Sequence, residues 1–193
     1  MTNPRAAFFD GIADRWDGWE DLEGLAARLA AGLEAFGGGP DETAVDVGCG
    51  TGNLTRALLS RLYARGRVVS VDLAPRMIEI ARRKVTDPRV EWRNEDARKL
   101  GLADASVDRV FCCAVWPHFD EAEAVATELV RVLRRGGRLH VWHLIPRKKV
   151  NEIHAGAGEA VQDDVLPPAA DTAAVLAAAG LRVTSVVDDD ERY

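Results

Sequence analysis

The sequence predicts an α/β fold, a doubly wound and mostly parallel sheet with helices on both faces. Three observations carry this. From Thr43 to Ile145, short apolar runs of strand length alternate with amphipathic helical stretches across short links, a rhythm that places strands in parallel with helices packed over them. The runs are almost continuously apolar, as strands covered on both faces must be. The link after the first run, Gly48-Cys-Gly50-Thr-Gly52, is rich in glycine and opens a helix, as at the first turn of doubly wound sheets.

The elements follow in order. Leu22, Leu25, Ala26, Leu29 and Leu33 recur at helical spacing, so Leu22 to Phe36 is a helix. Gly37-Gly-Gly-Pro40 breaks the chain. Thr43 to Val47 is the first strand and Leu54 to Tyr63 an amphipathic helix. Arg67 to Val71 is the second strand. Pro75 then occupies a favoured first helical position, and Met77, Ile78 and Ala81 continue that helix. Val90 to Arg93 and Val107 to Val115 are the third and fourth strands. Asp120, with Glu123 three residues later, carries the capping-box signature of the next helix, which Gly136-Gly137 ends by a left-handed stop. Arg138 to Ile145 is the fifth strand.

Composition narrows the function. A length of 193 residues suits one domain, since domains run to about 100–200 residues. With 47% hydrophobic and 29% charged residues, the chain is neither disordered nor fibrous, and no apolar window approaches the ~18 residues of a membrane span. The net charge of −6 is opposite to the basic surplus that phosphate contacts demand. The expected partner is therefore a small molecule rather than a nucleic acid. Met1 to Asp10 lacks the basic and apolar regions of a secretory signal. Cys49, Cys112 and Cys113 form neither a disulfide framework nor a zinc pattern. These features together point to a reducing compartment, the cytoplasm.

In a doubly wound sheet the ligand lies beyond the carboxyl ends of the strands. The glycine-rich link reads GxGxG, preceded by Asp46, and Asn53 stands where a dinucleotide fingerprint carries its third glycine. Asp72 ends the second strand, where a carboxylate can accept two hydrogen bonds from a ribose diol. Asp96 follows the third strand, where a carboxylate can accept from an adenine amino group. Loop-start and turn roles remain the plain alternatives for these two acids.

Taken together, Val45-Asp-Val-Gly-Cys-Gly-Thr-Gly52, Val69-Ser-Val-Asp72-Leu-Ala-Pro-Arg-Met-Ile, Asn94-Glu-Asp96-Ala, Val107-Asp-Arg-Val-Phe111 and Leu133-Arg-Arg-Gly-Gly-Arg138 resemble the class I S-adenosylmethionine-dependent methyltransferases, of the type 11 or ubiquinone/menaquinone-methyltransferase-like sort. The resemblance covers roughly residues 5–145. It implies a Rossmann-like fold, S-adenosylmethionine as cofactor and S-adenosylhomocysteine as product. It also implies one methyltransferase domain over 1–193, with a helical cover (1–40), a cofactor-binding core (41–145) and a substrate-side segment with a terminal helix and strand (146–193). By the same resemblance, Asp46, Gly48, Gly50 and Gly52 border the methionine moiety. Asp72 holds the ribose, Leu73 and Ala97 flank the adenine, and Asp96 takes its amino group. Cys113 and Ala114 sit near the sulfonium. Phe8-Phe9-Asp10, Ala13 and Trp16-Asp17 resemble the family's amino-terminal helix, which closes over the cofactor, with Trp16 where tyrosine is usual.

Methyl transfer needs a general base only when the nucleophile carries a proton. His118, after the fourth strand, and His143, near the end of the fifth, are the candidates, since imidazole titrates near ~6.5. Their plain alternatives are a helix-start polar residue and a packed strand residue. An Asn-Pro-Pro-Tyr-type element, typical of the family's nucleic-acid amine methylators, is absent. Trp116, Phe119 and Trp142 are candidates for an apolar pocket, or plain core. Arg147-Lys148-Lys149 opens a stretch ending in Asp163-Asp164, read either as a substrate lid with a basic mouth or as a solvated helix end. The acceptor expected is anionic or aromatic. His143, His154 and Asp163 or Asp164 match no standard metal spacing, so no metal is expected. The rival functions are a nicotinamide-dependent oxidoreductase and a non-catalytic protein on the same fold; oligomerisation remains open. At the carboxyl end, Thr172 to Ala179 is a helix, Gly180 its stop, and Leu181 to Val187 a strand. The family's final antiparallel strand is expected to be missing or truncated.

Overall fold

The computed structural model describes residues 3–62 and 65–193. Five strands form one sheet: β1 (Thr43–Val47), β2 (Arg67–Asp72), β3 (Val90–Asn94), β4 (Val107–Cys113) and β5 (Leu133–Trp142). Their spatial order is β3-β2-β1-β4-β5, and every pairing is parallel. Val45 lies beside Val69 on one side and Val110 on the other. The chain leaves β1 toward β2 and β3, then returns to place β4 on the opposite side. The switch point is thus between β1 and β4, and the ligand crevice of such a sheet opens there.

Seven α-helices are described: α1 (Pro4–Ile12), α2 (Leu22–Phe36), α3 (Asn53–Leu59), α4 (Pro75–Lys84), α5 (Ala122–Val132), α6 (Arg147–Ala155) and α7 (Ala169–Ala178). Side chains alternate across a strand, and this divides the core. Val45, Val47, Val110 and Cys112 pack with Val125, Ala126 and Leu129 of α5 on one face. Ala44 and Phe111 pack with Leu29 and Leu33 of α2 and Leu54 and Leu58 of α3 on the other. A smaller cluster of Ala13, Ala74 and Met77 joins the amino-terminal segment to α4, with Phe9 and Trp16 against it.

The first two strands, α2 and the Pro75 helix start fall where the sequence places them. Other boundaries move. α3 ends at Leu59, and Tyr63, the expected end of that helix, lies outside the described residues. α5 begins after Glu121 with no side-chain cap, because the Asp120 carboxylate is held by Arg5. α5 stops at Val132, and the paired segment begins before Gly136-Gly137, with an irregularity of register between Val107 and Arg109.

The larger correction concerns Leu181 to Val187. The segment carries a strand-like sequence but joins no ladder, and Val183 and Val186 are exposed. Strand propensity expresses itself only against a partner, and near the end of β5 the His143 N–H is taken by the Tyr193 carbonyl at 3.0 Å. Tyr193 is buried, and its hydroxyl lies 2.6 Å from Thr172 Oγ1. Among the described residues, no helix is long and apolar enough to cross a membrane.

Candidate functional site

A pocket lies over the carboxyl ends of β1 to β4. Val47, Gly48 and Gly50 come from β1 and its turn, Val71 to Ala74 from β2, Glu95 to Arg98 from beyond β3, and Ala114, Val115, His118 and Phe119 from beyond β4. Arg5, Ala6, Phe9 and Trp16 cover it.

Backbone geometry explains the glycines. The Gly48 and Cys49 N–H groups both donate to the Val71 carbonyl, at 2.8 and 3.0 Å, which folds the turn back over β2. Gly48 sits at φ +70°, and a Cβ there would lie 2.3 Å from Val115 Cγ2. Gly50, at φ +52°, faces the open cleft, where an added Cβ would meet only Trp16 Nε1 at 3.9 Å. Asp72 is fixed from both sides. Gly50 N–H donates to one carboxylate oxygen at 2.8 Å and Ala74 N–H to the other at 2.9 Å. Burial pushes its pKa up, against the pull of those two bonds. Asn94 Nδ2 donates to the Asp72 and Leu73 carbonyls at 2.9 Å and so fixes the chain beside the pocket. Asp96 lies on the wall, bound to Arg98 through its backbone N–H at 2.9 Å and its guanidinium at 2.6 Å. That pairing lowers its pKa against a smaller effect of burial. Leu73 and Ala97 line the same wall.

Four of the expected site residues lie away from the pocket lining. Asp46 points from β1 toward the α3 face, since Val45 and Val47 take the other. It is buried and accepts from Thr55 Oγ1 at 2.7 Å. Burial raises its pKa to about 7, outweighing that hydrogen bond. Gly52 is at φ +84°, with an added Cβ facing Trp92 and Ala81, so it serves the packing of α3. Cys113 packs with the α2 and α3 cluster, by the same alternation, while Ala114 turns into the pocket at φ +56°. His143 is buried beneath the Tyr193 ring, 5.3 Å between centroids. Burial, with His118 and His154 adding to it, pushes its pKa down to about 3. His143 does not line the cleft.

His118 does line the pocket. Its Nδ1 lies 2.6 Å from Asp164 Oδ2, and the Phe9 ring meets it edge-on at 5.0 Å. Trp16 stands over the Gly50 turn and meets Phe9 at 5.9 Å. Trp116 and Phe119 pack edge-on at 5.6 Å; Phe119 lines the pocket, whereas Trp142 joins the core on the α2 side.

Several anchors of the cover were not read from the sequence. α1 contains no fully buried residue; besides Phe9, packed against Ala74 and Met77, polar contacts hold it. Arg5 Nε donates to both Asp164 oxygens, at 3.0 and 2.9 Å. Asp10 accepts the Arg76 N–H at 2.8 Å, and Asp14 pairs with the Arg76 side chain at 2.7 Å. Asp17 accepts from Thr51 Oγ1 at 2.7 Å and Lys84 Nζ at 2.5 Å. The one available signal was the run Asp10, Asp14, Asp17, a helical spacing of acids facing the basic α4. Lys148 and Lys149 are exposed and Arg147 pairs with Asp188 at 2.7 Å. None of the three lines the pocket, whereas Asp164, at the other end of the stretch, is buried against Arg5 and His118. His154 Nδ1 is engaged by the Asp164 carbonyl at 2.6 Å, and among the described residues no group of three or more His, Cys, Asp or Glu is placed to hold a metal ion.

The pocket fits S-adenosylmethionine. A carboxylate stands at the end of β2, a glycine turn leaves open space beside it, and Asp72, Glu95 and Asp96 supply negative charge toward a cationic ligand that carries no phosphate.

Comparison with known proteins agrees. Residues 45–141 match the methyltransferase domain family. The ubiquinone/menaquinone biosynthesis C-methyltransferase UbiE of Desulfotalea psychrophila is 33% identical over 67% of this chain and 54% of its own length. A trans-aconitate 2-methyltransferase of an Azoarcus species is 36% identical over 65% of this chain and 49% of its own. The chain thus spans about half the length of these curated relatives. In fold, it resembles a SAM-dependent methyltransferase from Aquifex aeolicus, with a TM-score of 0.76 at 22% identity, over 94% of this chain and 93% of that one. The sheet order, the glycine turn with its strand-end carboxylate, and the match over residues 45–141 make this chain a member of the class I S-adenosylmethionine-dependent methyltransferase family.

Proposed function

We propose that the chain transfers a methyl group from S-adenosylmethionine to a small, uncharged acceptor in the cleft between β4 and α1. When bound, the cofactor supplies an electrophilic methyl carbon. The chain's residues then bind, orient and exclude water. Asp72 presents its carboxylate to the ribose hydroxyls and Leu73 and Ala97 flank the adenine. Glu95 lines that end of the cleft beside the Asp96–Arg98 pair. Phe9, Trp16 and Phe119 close the acceptor end against solvent. Fixing two reactants in this way can contribute up to about 7–11 kcal/mol to a displacement.

The observation that carries this reading is the Gly50 N–H to Asp72 contact at 2.8 Å, which fixes the carboxylate at the end of β2, against the glycine turn. The preference for an uncharged acceptor comes from the lining itself. Its two arginines, Arg5 and Arg98, are ion-paired with Asp164 and Asp120, and with Asp96 and Glu121, so neither is left to hold an anion.

The test is Asp72→Ala. Loss of a half-buried carboxylate that accepts two ligand hydroxyls should cost at least about tenfold in S-adenosylhomocysteine affinity, on the order of 1.4 kcal/mol. Unchanged affinity in a folded variant would refute the placement.

A further inference from the structure

Beyond β4 three elements that are distant in sequence meet. His118 follows β4, Asp164 follows α6, and Arg5 belongs to α1. The Asp164 side chain is 1% exposed, and its two oxygens are shared between Arg5 Nε and His118 Nδ1. The His118 ring lines the acceptor end of the pocket, beside Phe9 and Phe119. Its second nitrogen, Nε2, is not among the buried polar atoms that lack a partner, and it makes no hydrogen bond within the described residues. A surface charge pair has no need of such burial, nor of a third group to orient the carboxylate.

We propose that His118 is the proton acceptor of the transfer and Asp164 its positioning residue, so that the site serves an acceptor whose nucleophilic atom carries a proton, a hydroxyl or an amine. This rests on the methyl-transfer reading and goes beyond it by fixing the acceptor's chemistry. A carboxylate acceptor reaches the site already ionised and gives such a dyad nothing to do.

The tautomer follows from the partners. Burial pushes the Asp164 carboxyl up, but His118 and Arg5 together outweigh it and hold the pKa at about 2, so its oxygens only accept. Nδ1 therefore carries the proton that bridges to Asp164, and Nε2 presents its lone pair to the pocket. In the reaction the acceptor's proton passes to Nε2 as its heteroatom forms the bond to the methyl carbon. The electron pair of the broken carbon–sulfur bond stays on sulfur, and His118 then releases the proton to water. Asp164 stabilises the transient imidazolium. The other charged or titratable groups facing the ring are Arg5 of α1, itself also paired with Asp120, together with His154 of α6 and His143 after β5. Burial is the main reason that the His118 pKa is lowered, with Asp164 opposing it.

The test is a tautomer measurement. Protein labelled with 15N at the histidine rings is examined by NMR above the His118 titration, with and without S-adenosylhomocysteine, and the signal is assigned by its loss in His118→Gln. We expect an Nδ1–H tautomer in the wild type. In Asp164→Asn the single amide oxygen is claimed by the Arg5 donors and the amide N–H₂ faces Nδ1, so the proton moves to Nε2 and the base is blocked. An Nε2–H tautomer in the wild type, which needs no variant to fold, would overturn the proposal, as would the same tautomer in both proteins. Failure of S-adenosylhomocysteine to bind the wild type would instead overturn the methyl-transfer reading beneath it, whatever the tautomer.

Discussion

Replacing Gly48 by alanine separates two costs that a glycine turn usually mixes. At φ +70°, an L-residue loses about 1–2 kcal/mol from the contact of its Cβ with the backbone. The same Cβ would stand 2.3 Å from Val115 Cγ2 and 2.7 Å from its Cβ. Overpacking of that kind costs typically 1–3 kcal/mol, giving about 2–5 kcal/mol in all. In a domain of this size each kcal/mol moves Tm by roughly 2–4 °C, so Gly48→Ala should melt about 4–20 °C lower. Gly50→Ala is the control. Its φ is +52°, but its Cβ meets only Trp16 Nε1, at an ordinary 3.9 Å, leaving about 1–2 kcal/mol and a fall of about 2–8 °C. Thermal melts followed by circular dichroism read both. Adding Val115→Ala to Gly48→Ala should recover part of the loss, because the two side chains compete for one space. Equal falls for the two single variants, or no recovery in the double variant, would refute the reasoning that Gly48 is required by the approach of Val115.

Asp46→Asn tests the buried acid under α3. The folded carboxyl keeps its proton up to about 7 whereas an unfolded one releases it near ~3.9. The stability this group contributes is therefore present at low pH and is lost as pH rises from about 4 to 7, on the order of 4 kcal/mol by linkage; urea unfolding should show the asparagine variant gaining on the wild type through that window and level above it, and a constant difference from pH 4 to 8 would count against it. Arg5→Ala tests the cover. With no fully buried residue in α1, loss of the Asp164 and Asp120 pairs should speed amide hydrogen exchange across Pro4–Ile12 while leaving the sheet protected; unchanged exchange in α1 would mean that Arg5 does not hold it.

Much of the fold was legible because local signals and global pattern agree there. Thr43 to Val47 and Arg67 to Val71 are mostly apolar runs, Pro75 suits the first turn of a helix, and Leu25, Leu29 and Leu33 share one stripe. The same property hid the details of the site. A strand buried on both faces shows no alternation of polarity, so nothing in the sequence said that Asp46 and Cys113 face α3 while Val47 and Ala114 face the α5 side or the cleft. The Leu181 to Val187 segment has a strand's composition, but whether it pairs depends on what the edge of β5 already binds. The Arg5–Asp164 contact joins residues 159 apart in sequence, and it turns Asp164 from one of two candidate surface acids into the partner of His118. That Gly50, Asp72, Asp96 and His118 line the pocket was legible because the ligand crevice of such a sheet lies beyond the ends of its strands; Trp16 came from the family resemblance alone.

The cleft is built for S-adenosylmethionine rather than for a dinucleotide. The most direct test of this is a calorimetric titration of the purified protein with S-adenosylhomocysteine, with NADH as the comparison ligand. The turn that carries Asn53 in place of a third glycine, and the acids Asp72, Glu95 and Asp96, predict saturable micromolar binding of S-adenosylhomocysteine and none of NADH. Binding of NADH, or of neither ligand, would contradict the account.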